Sequence, residues 1–272
     1  KLKLVENLNI IRKKVVTINK AEDIFEVTFE DNAFVNSSRV IITAGTFLNG
    51  KLHTGEETRV GGRDGSLPSV SLKELIGNAE LYGGRFKTGT PARLNRNSVN
   101  YNKLEAQPSD ENTLNFSIHS SKSERSLEQV DCYLAYTNSN TLSIIRSNKE
   151  RSPIFNGQIK GVGPRYCPSI EDKAFRYTEK DVHHVFIEPE SHSLNTVYPS
   201  GISTSLPKDV QESFIHSIEG LENSKIEVYG YAVEYDVVDT TKLRQTLECK
   251  DIAGLYFAGQ INGTTGYEEA AC

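Results

Sequence analysis

Apolar and polar positions along the chain follow two rhythms, one of period two and one near 3.6, and these predict its elements. Leu8 to Ile18 reads as a strand, Ile24 to Glu30 alternates apolar with acidic residues, and Asp31-Asn32 turns into Ala33 to Ser37, which predicts a small β-meander. Two short stretches ending in small residues, Ser38 to Thr46 and Leu255 to Ala258, read as buried strands, and the second suits a parallel sheet. Cys132 to Tyr136, Leu142 to Ile145, Val182 to Ile187 and Gly230 to Asp236 read as further strands, the last carrying Glu234 and Asp236 at its end.

Helices are announced by their caps. Ser71 with Glu74 three residues on is a capping box, and Gly77 is a fitting stop. Ser169 with Asp172 predicts a helix from about Ile170 to Tyr177 that buries Ile170, Ala174 and Tyr177. The stretch Gly201 to Pro207 opens a helix with Val210, Phe214 and Ile218 on one face, ended by Gly220. Asn95 to Gln129 is polar, rich in Ser and Asn, and reads as a long surface excursion.

Composition bounds the functions open to this pattern. At 272 residues with a net charge of −5 and 25% charged residues, the chain can bury one large or two modest cores, and it is unsuited to uniform nucleic-acid binding. Any RNA surface is therefore expected as a patch, for instance around Arg63, Arg85 and Arg93, whose forks match phosphate oxygens but which also suit ordinary solvated loops. The four cysteines show no spacing for a disulfide framework or a metal site. No run approaches the ~18 apolar residues of a membrane span, so a cytoplasmic protein is expected. The chain holds no methionine and stops at Cys272 just inside a final helix, which suggests an internal segment of a longer protein.

The candidate chemistry lies in two blocks. After Leu255 to Ala258 come Gly259, Gly263 and Gly266, which free the backbone to approach a ligand, and Thr264 or Thr265 could cap a helix near Tyr267 whose N-terminus favours phosphate. In the second block, Gly161-x-Gly163 lacks a third glycine and is followed by Pro164, so it is not a dinucleotide fingerprint. Cys167 sits just before a helix N-terminus and two residues from Arg165, both of which favour thiolate, while Glu171 and Asp172 oppose it. A lone cysteine is also commonly a small buried hydrophobe. His183 and His184 read as structural.

These blocks carry a resemblance. Gly259-Gln-Ile-Asn-Gly-Thr-Thr-Gly-Tyr-Glu-Glu-Ala270 resembles the second flavin motif of two-dinucleotide-binding flavoproteins, with Gln260 where an Asp is usual, and is similar to the signature of the MnmG (GidA) family. Thr43-Ala44-Gly45 stands where that superfamily has Ala-Thr-Gly, and Gly163-Pro-Arg-Tyr-Cys-Pro-Ser-Ile-Glu-Asp-Lys173 matches the family's signature throughout. The resemblance covers nearly the whole chain apart from residues 97–128. It implies an α/β fold: a two-dinucleotide-binding-type FAD domain, with a parallel sheet and a β-meander, at residues 1–95 and 225–272, and an inserted smaller α/β domain for NADH and substrate at residues 96–224.

By the same resemblance, Val15, Ser69, Gly259 and Gln260 would contact FAD, although Val15 could equally be only a strand residue. Gly163, Pro164, Arg165, Tyr166, Cys167, Pro168, Ser169, Ile170, Glu171, Asp172 and Lys173 would form the NAD segment, and no metal is implied. The implied reaction installs an aminomethyl-type group, carboxymethylaminomethyl in the finished nucleoside, on carbon-5 of the tRNA wobble uridine. Methylene-tetrahydrofolate is the carbon donor and NADH reduces the flavin. Cys167 would add to carbon-6 and so make carbon-5 a nucleophile. The implied partners are tRNA, the GTPase MnmE in a heterotetramer, and a second copy of the chain in a homodimer. Two rivals remain: a folate- and FAD-dependent tRNA uridine methyltransferase, and a non-catalytic RNA-binding or assembly module.

Overall fold

The computed structural model describes residues 4–110, 128–164, 168–180, 182–266 and 268–271. The meander forms as expected from β1 (Val15–Ala21), β2 (Ile24–Phe29) and β3 (Phe34–Ser37), paired antiparallel in sequence order. Its first strand starts later than the apolar pattern suggests. Pairing with β2 ends at Val15 opposite Phe29, so Leu8, Ile10 and Ile11 have no β2 residue opposite them and stay exposed. Val15 therefore opens β1 rather than closing a longer strand.

Next, β4 (Val40–Ile42) pairs in parallel with the last strand of the chain, β15 (Leu255–Phe257), which brings distant parts of the sequence together. Between them, β5 (Lys51–Thr54), β6 (Glu57–Val60), β7 (Tyr82–Thr90) and β14 (Tyr231–Val238) build a four-stranded antiparallel sheet in the order β6-β5-β14-β7. All eight residues of β14 are buried, the acidic Glu234 and Asp236 included. α1 (Leu72–Ile76) has the predicted Ser71/Glu74 box and a left-handed Gly77, and buries Leu72 and Leu75 against the core shared by β1, β4 and β15.

The remaining strands make a separate sheet. β8 (Arg93–Asn95), β9 (Glu105–Gln107), β10 (Cys132–Tyr136), β11 (His184–Pro189), β12 (Thr196–Ser200) and β13 (Ile226–Val228) run in the order β13-β8-β12-β11-β10-β9, every pair antiparallel. Helices α2 (Ser139–Ser147), α3 (Ile170–Arg176) and α4 (Lys208–Ile215) join its core through Leu142, Ile145, Ile170, Ala174, Val210 and Phe214, which pack with Val185, Ile187 and Val197. Along β11 the alternation of buried Val185 and Ile187 with exposed His184 and Phe186 is that of a sheet with one face covered and one open. In sequence this sheet runs from Arg93 to Val228, and those two residues pair with each other across β8 and β13.

Two local expectations are corrected. Leu142 to Ile145 is not a strand but the middle of α2, because Asn138 and Thr141 form a reciprocal cap and a four-residue apolar run cannot by itself distinguish the two periods. Tyr177 caps α3 in a non-helical conformation and is half exposed, so it is not part of the buried face.

Candidate functional site

Sequence expectation and structure meet first at the carboxyl ends of β4 and β15, where an open α/β sheet presents its ligand crevice. Ala258 N–H donates to Ile42 O at 3.0 Å, holding the two strand ends in step. Gly45 follows β4 at φ 55°, and Gly259 follows β15 at φ 85° and ψ −149°, a backbone state open essentially to glycine. The carboxamide of Gln260 fits between two glycines: a Cβ on Gly45 would stand 3.7 Å from its Oε1, and a Cβ on Gly266 3.2 Å from its Nε2. Asn262 closes the turn by donating to Phe257 O at 2.8 Å.

Val15 and Ser69 lie on the wall of one cavity of about 510 Å³, together with Thr43 and Ala44. Ser69 is fixed there by its N–H donating to Phe47 O at 2.8 Å. The cavity wall thus continues through Thr43 and Ala44 into the Gly45 turn beside Gln260, which brings all four residues expected at the flavin to one edge of the fold. No α-helix follows Thr265 among the described residues; a short 3-10 turn, Glu268–Ala270, stands there, and Thr265 N–H donates to Glu269 Oε1. Tyr267 lies outside the described residues.

The second block borders a cavity of about 640 Å³. Gly163, Pro164, Pro168 and Asp172 line it, with Lys87 from β7 and Arg176 from α3. Arg165, Tyr166 and Cys167 lie outside the described residues. The rest of the segment turns toward the fold. Ser169 caps α3, Ile170 is fully buried, Lys173 Nζ donates to Gly201 O at 2.7 Å, and Glu171 Oε1 accepts from Ser205 N–H and Oγ at 2.9 and 3.1 Å. Glu171 Oε2 is buried without a hydrogen-bond partner among the described residues, and burial raises its carboxyl above the usual 4.5. Burial also lowers Lys173 from its ordinary value.

Three charged residues matter here that sequence reading either missed or used otherwise. Lys87 is almost wholly buried, with Nζ 3.5 Å from Asp172 Oδ2 and beside the Cα of Gly163, where a Cβ would lie 3.9 Å away. Arg85 donates to Asp236 Oδ1 at 2.7 Å, to Glu234 O at 2.9 Å and to Asn49 O at 3.0 Å, so its fork is committed inside the protein. Glu234 accepts from both Lys160 N–H and Gly161 N–H on one oxygen, at 3.0 and 2.7 Å. Burial opposes its ionisation, yet His53, Arg85 and the Gly161 and Lys160 amides together outweigh burial and hold its carboxyl at about 2. The signal was present in the register: β14 sets Glu234 opposite Lys87 and Asp236 opposite Arg85, two acids in one buried strand facing two bases in the next.

Arg93 is likewise committed, to Glu190 Oε1 at 3.1 Å and to the Tyr198 ring at 4.7 Å. Arg63 stays exposed and donates to Ser66 Oγ. Of the cysteines, Cys132 has its thiol pushed up by burial and by Glu188 and Asp131, away from a thiolate, and Cys249 is fully buried. Among the described residues no group of His, Cys, Asp and Glu side chains could hold a metal, and no helix is long and apolar enough to cross a membrane.

Phe86 stands between the Gly263 turn and the loop of the second cavity. The Phe86 ring on β7 packs beneath Gly263, where a Cβ would stand 3.0 Å from it, and the Phe86 backbone bridges to Val162 in the loop that walls the second cavity. Parallel strands ending in glycine turns, a meander, and a second sheet carrying its own cavity wall make this a mixed α/β protein of the two-dinucleotide-binding flavoprotein type.

The comparisons narrow that class. The family model described as glucose inhibited division protein A matches residues 1–272, and the chain belongs to that family. It is 50% identical over 236 residues to the tRNA uridine 5-carboxymethylaminomethyl modification enzyme MnmG of a Nitratiruptor species, covering 87% of this chain and 38% of that protein. The protein of the same description from Aliarcobacter butzleri is 50% identical over 235 residues, again 38% of its length. The chain therefore spans well under half of these curated relatives. It superposes on the structure of Aquifex aeolicus GidA in the form I crystal with a TM-score of 0.90 at 42% identity, over 99% of this chain and 46% of that one.

Proposed function

We propose that this chain is part of an FAD-dependent enzyme that builds the carboxymethylaminomethyl group on carbon-5 of the tRNA wobble uridine. Methylene-tetrahydrofolate supplies the carbon and NADH the reducing equivalents, and the enzyme works as a cytoplasmic homodimer with the MnmE GTPase. The names of its relatives support the substrate, and the fold supports the cofactors. Residues 1–95 and 225–272 are assigned to FAD, and residues 96–224 to NADH and substrate.

The observation that carries this reading is the place of Phe86, whose ring packs beneath Gly263 in the turn region after β15 and whose backbone bridges to Val162 in the wall of the second cavity, because hydride transfer between a nicotinamide and a flavin requires neighbouring sites. Gly45 and Gly259 supply positive-φ turns, and at Gly266 a Cβ would crowd the Gln260 amide at 3.2 Å, which fits a flat ring held against backbone. In this assignment Val15, Ser69, Gly259 and Gln260 hold FAD, which supplies two-electron redox chemistry when bound. Gln260 offers a neutral amide, able both to donate and to accept, where a carboxylate could only accept. Gly163, Pro164, Pro168 and Asp172 form the described part of the NADH side, which Arg165, Tyr166 and Cys167 complete.

Cys167 is assigned the nucleophile's role: its thiolate adds to carbon-6 of the uracil, carbon-5 attacks the methylene carbon of methylene-tetrahydrofolate, loss of the carbon-5 proton expels the thiolate again, and the folate nitrogen leaves that carbon as an amine takes its place. Lys87 lines the second cavity beside Gly163. The test is anaerobic addition of NADH to the full-length protein. The flavin absorbance should bleach, and a protein that holds no flavin, or whose flavin NADH does not reduce, would overturn the reading.

A further inference from the structure

The loop from Gln158 to Gly163 is a strap laid across the end of the β6-β5-β14-β7 sheet, and it forms one wall of the second cavity through Gly161, Val162 and Gly163. Its middle is held by backbone alone: Lys87 N–H donates to Val162 O at 2.9 Å, and Val162 N–H to Arg85 O at 3.1 Å. Those two bonds extend the sheet by a single parallel bridge. The strap's entry is held by one further backbone bond, Ile159 N–H to Pro153 O at 2.9 Å, and by the buried Ile159 side chain, while Val162 is 67% exposed. These contacts leave the Lys160 and Gly161 amides to be taken from elsewhere.

Two side chains from the sheet complete the hold. Glu234 reaches from the buried β14 and takes the N–H groups of Lys160 and Gly161 on one carboxylate oxygen. Its other oxygen lies 3.4 Å from His53 Nε2 and 3.5 Å from Arg85 Nε, so the carboxylate is set by groups on β5 and β7. His53 is fully buried, and its Nδ1 lies 3.1 Å from Gln158 Nε2, an atom that can only donate. Nδ1 is then the accepting nitrogen and Nε2 carries the proton that faces Glu234. The same Gln158 amide sits 3.0 Å from Thr58 Oγ1 and 3.2 Å from Gly55 O, tying the strap to the β5–β6 turn. Contact at Gly161 is so close that a Cβ would stand 2.9 Å from Phe86 C and 3.1 Å from Glu234 Cγ.

We propose that Glu234, aligned by His53 and Arg85 and seconded by Gln158, is a positioning residue that fixes the Gln158–Gly163 strap and thereby the cavity wall on the nicotinamide side. This rests on the cofactor assignment above for the identity of the ligand, but the clamp itself does not. Glu234 touches neither cofactor nor substrate; it acts by fixing where the Gly161–Gly163 backbone stands relative to Phe86 and Lys87.

The experiment uses the full-length protein with Glu234→Gln, and with Gln158→Ala as a second variant at a partly exposed position that leaves the core untouched. Whichever way the substituted carboxamide turns, its NH2 faces donors: the Lys160 and Gly161 amides on one side, or Arg85 and His53 on the other. Hydrogen exchange should rise by about tenfold at Lys160 and Gly161 in both variants while β14 amides stay protected. In rapid-mixing flavin reduction, the NADH concentration for half-maximal rate should rise by roughly tenfold, with the limiting rate changing less than about threefold and FAD content unchanged. Unchanged exchange at 160 and 161 would overturn the clamp. Faster exchange with an unchanged NADH requirement would overturn its role in positioning. If NADH fails to reduce the flavin of the unsubstituted protein, the functional reading falls, and exchange alone still decides the clamp.

Discussion

Arg85→Met is the substitution whose outcome most sharply separates an RNA-binding arginine from a structural one. In the structure the guanidinium is only 17% exposed and joins Asp236 at 2.7 Å, with Asp236 itself 2% exposed. Removing one partner of a buried pair costs ~3–5 kcal/mol, because the other charge is left desolvated. Asp236 would keep weaker help from Leu72 N–H and Asn49 Nδ2, both at 3.2 Å, which places the loss at the lower end. The Glu234 carbonyl lies in a buried strand and loses a donor at about 1 kcal/mol, whereas the carbonyl of exposed Asn49 rehydrates. Met keeps most of the apolar stem, so packing adds little. The sum is about 4 kcal/mol, or roughly 8–16 °C in the thermal midpoint. The assay pairs thermal unfolding of the full-length protein with the salt dependence of tRNA binding. A phosphate contact would instead lower the slope of log K against log salt by about 0.9 at little cost in stability. A midpoint within about 2 °C of the parent together with a reduced slope would refute the structural account.

Gln260→Ala should weaken FAD binding about tenfold by removing the amide that fits between Gly45 and Gly266, as measured by titrating FAD into the stripped full-length protein; unchanged affinity and spectrum would remove Gln260 from the site. Cys167→Ser should leave FAD content and thermal midpoint intact while single-turnover tRNA modification falls by about two orders of magnitude or more, since a serine hydroxyl is almost never ionised at neutral pH; near-normal turnover in a stable variant would refute the nucleophile role. Two acids give opposite pH signatures. Glu234 sits at about 2 against an ordinary 4.5, so its stabilisation of ~3 kcal/mol is present above pH 4.5 and lost as pH falls toward 2. Glu171 is raised by burial, so its contribution is present below 4.5 and declines as pH rises through its folded value; Glu171→Gln should flatten that decline, and an unchanged stability profile between pH 4 and 8 would show that Glu171 titrates normally.

What the sequence disclosed follows from how local each signal is. Caps are local, so Ser71, Ser169 and the stops beside them were readable, as were the strands at Val40 and Leu255, whose apolar runs between small residues have few other uses. Leu142 to Ile145 was ambiguous because four apolar residues fit either period, and only the Asn138–Thr141 cap decides it. The early start expected for β1 failed for a non-local reason: strand length is set by the partner, and β2 offers nothing beyond Phe29.

Side-chain commitments are the least local property of all. Arg85 and Arg93 look alike in sequence to Arg63, each an arginine near glycines or small residues, yet their acceptors lie 151 and 97 residues away. Glu234 shows the same limit from the other direction. As one acid in an apolar strand it reads as an imperfection, but its register opposite β7 and its two amides from the strap turn it into the contact that ties β14 to the loop walling the second cavity. A carboxylate held at about 2 in a buried strand persists only where several donors converge on it, and here two of those donors belong to the loop that forms the cavity wall. The charge therefore has a positional consequence. Neutralising it at a distance from any ligand should alter where the ligand's wall stands before it alters whether the protein folds.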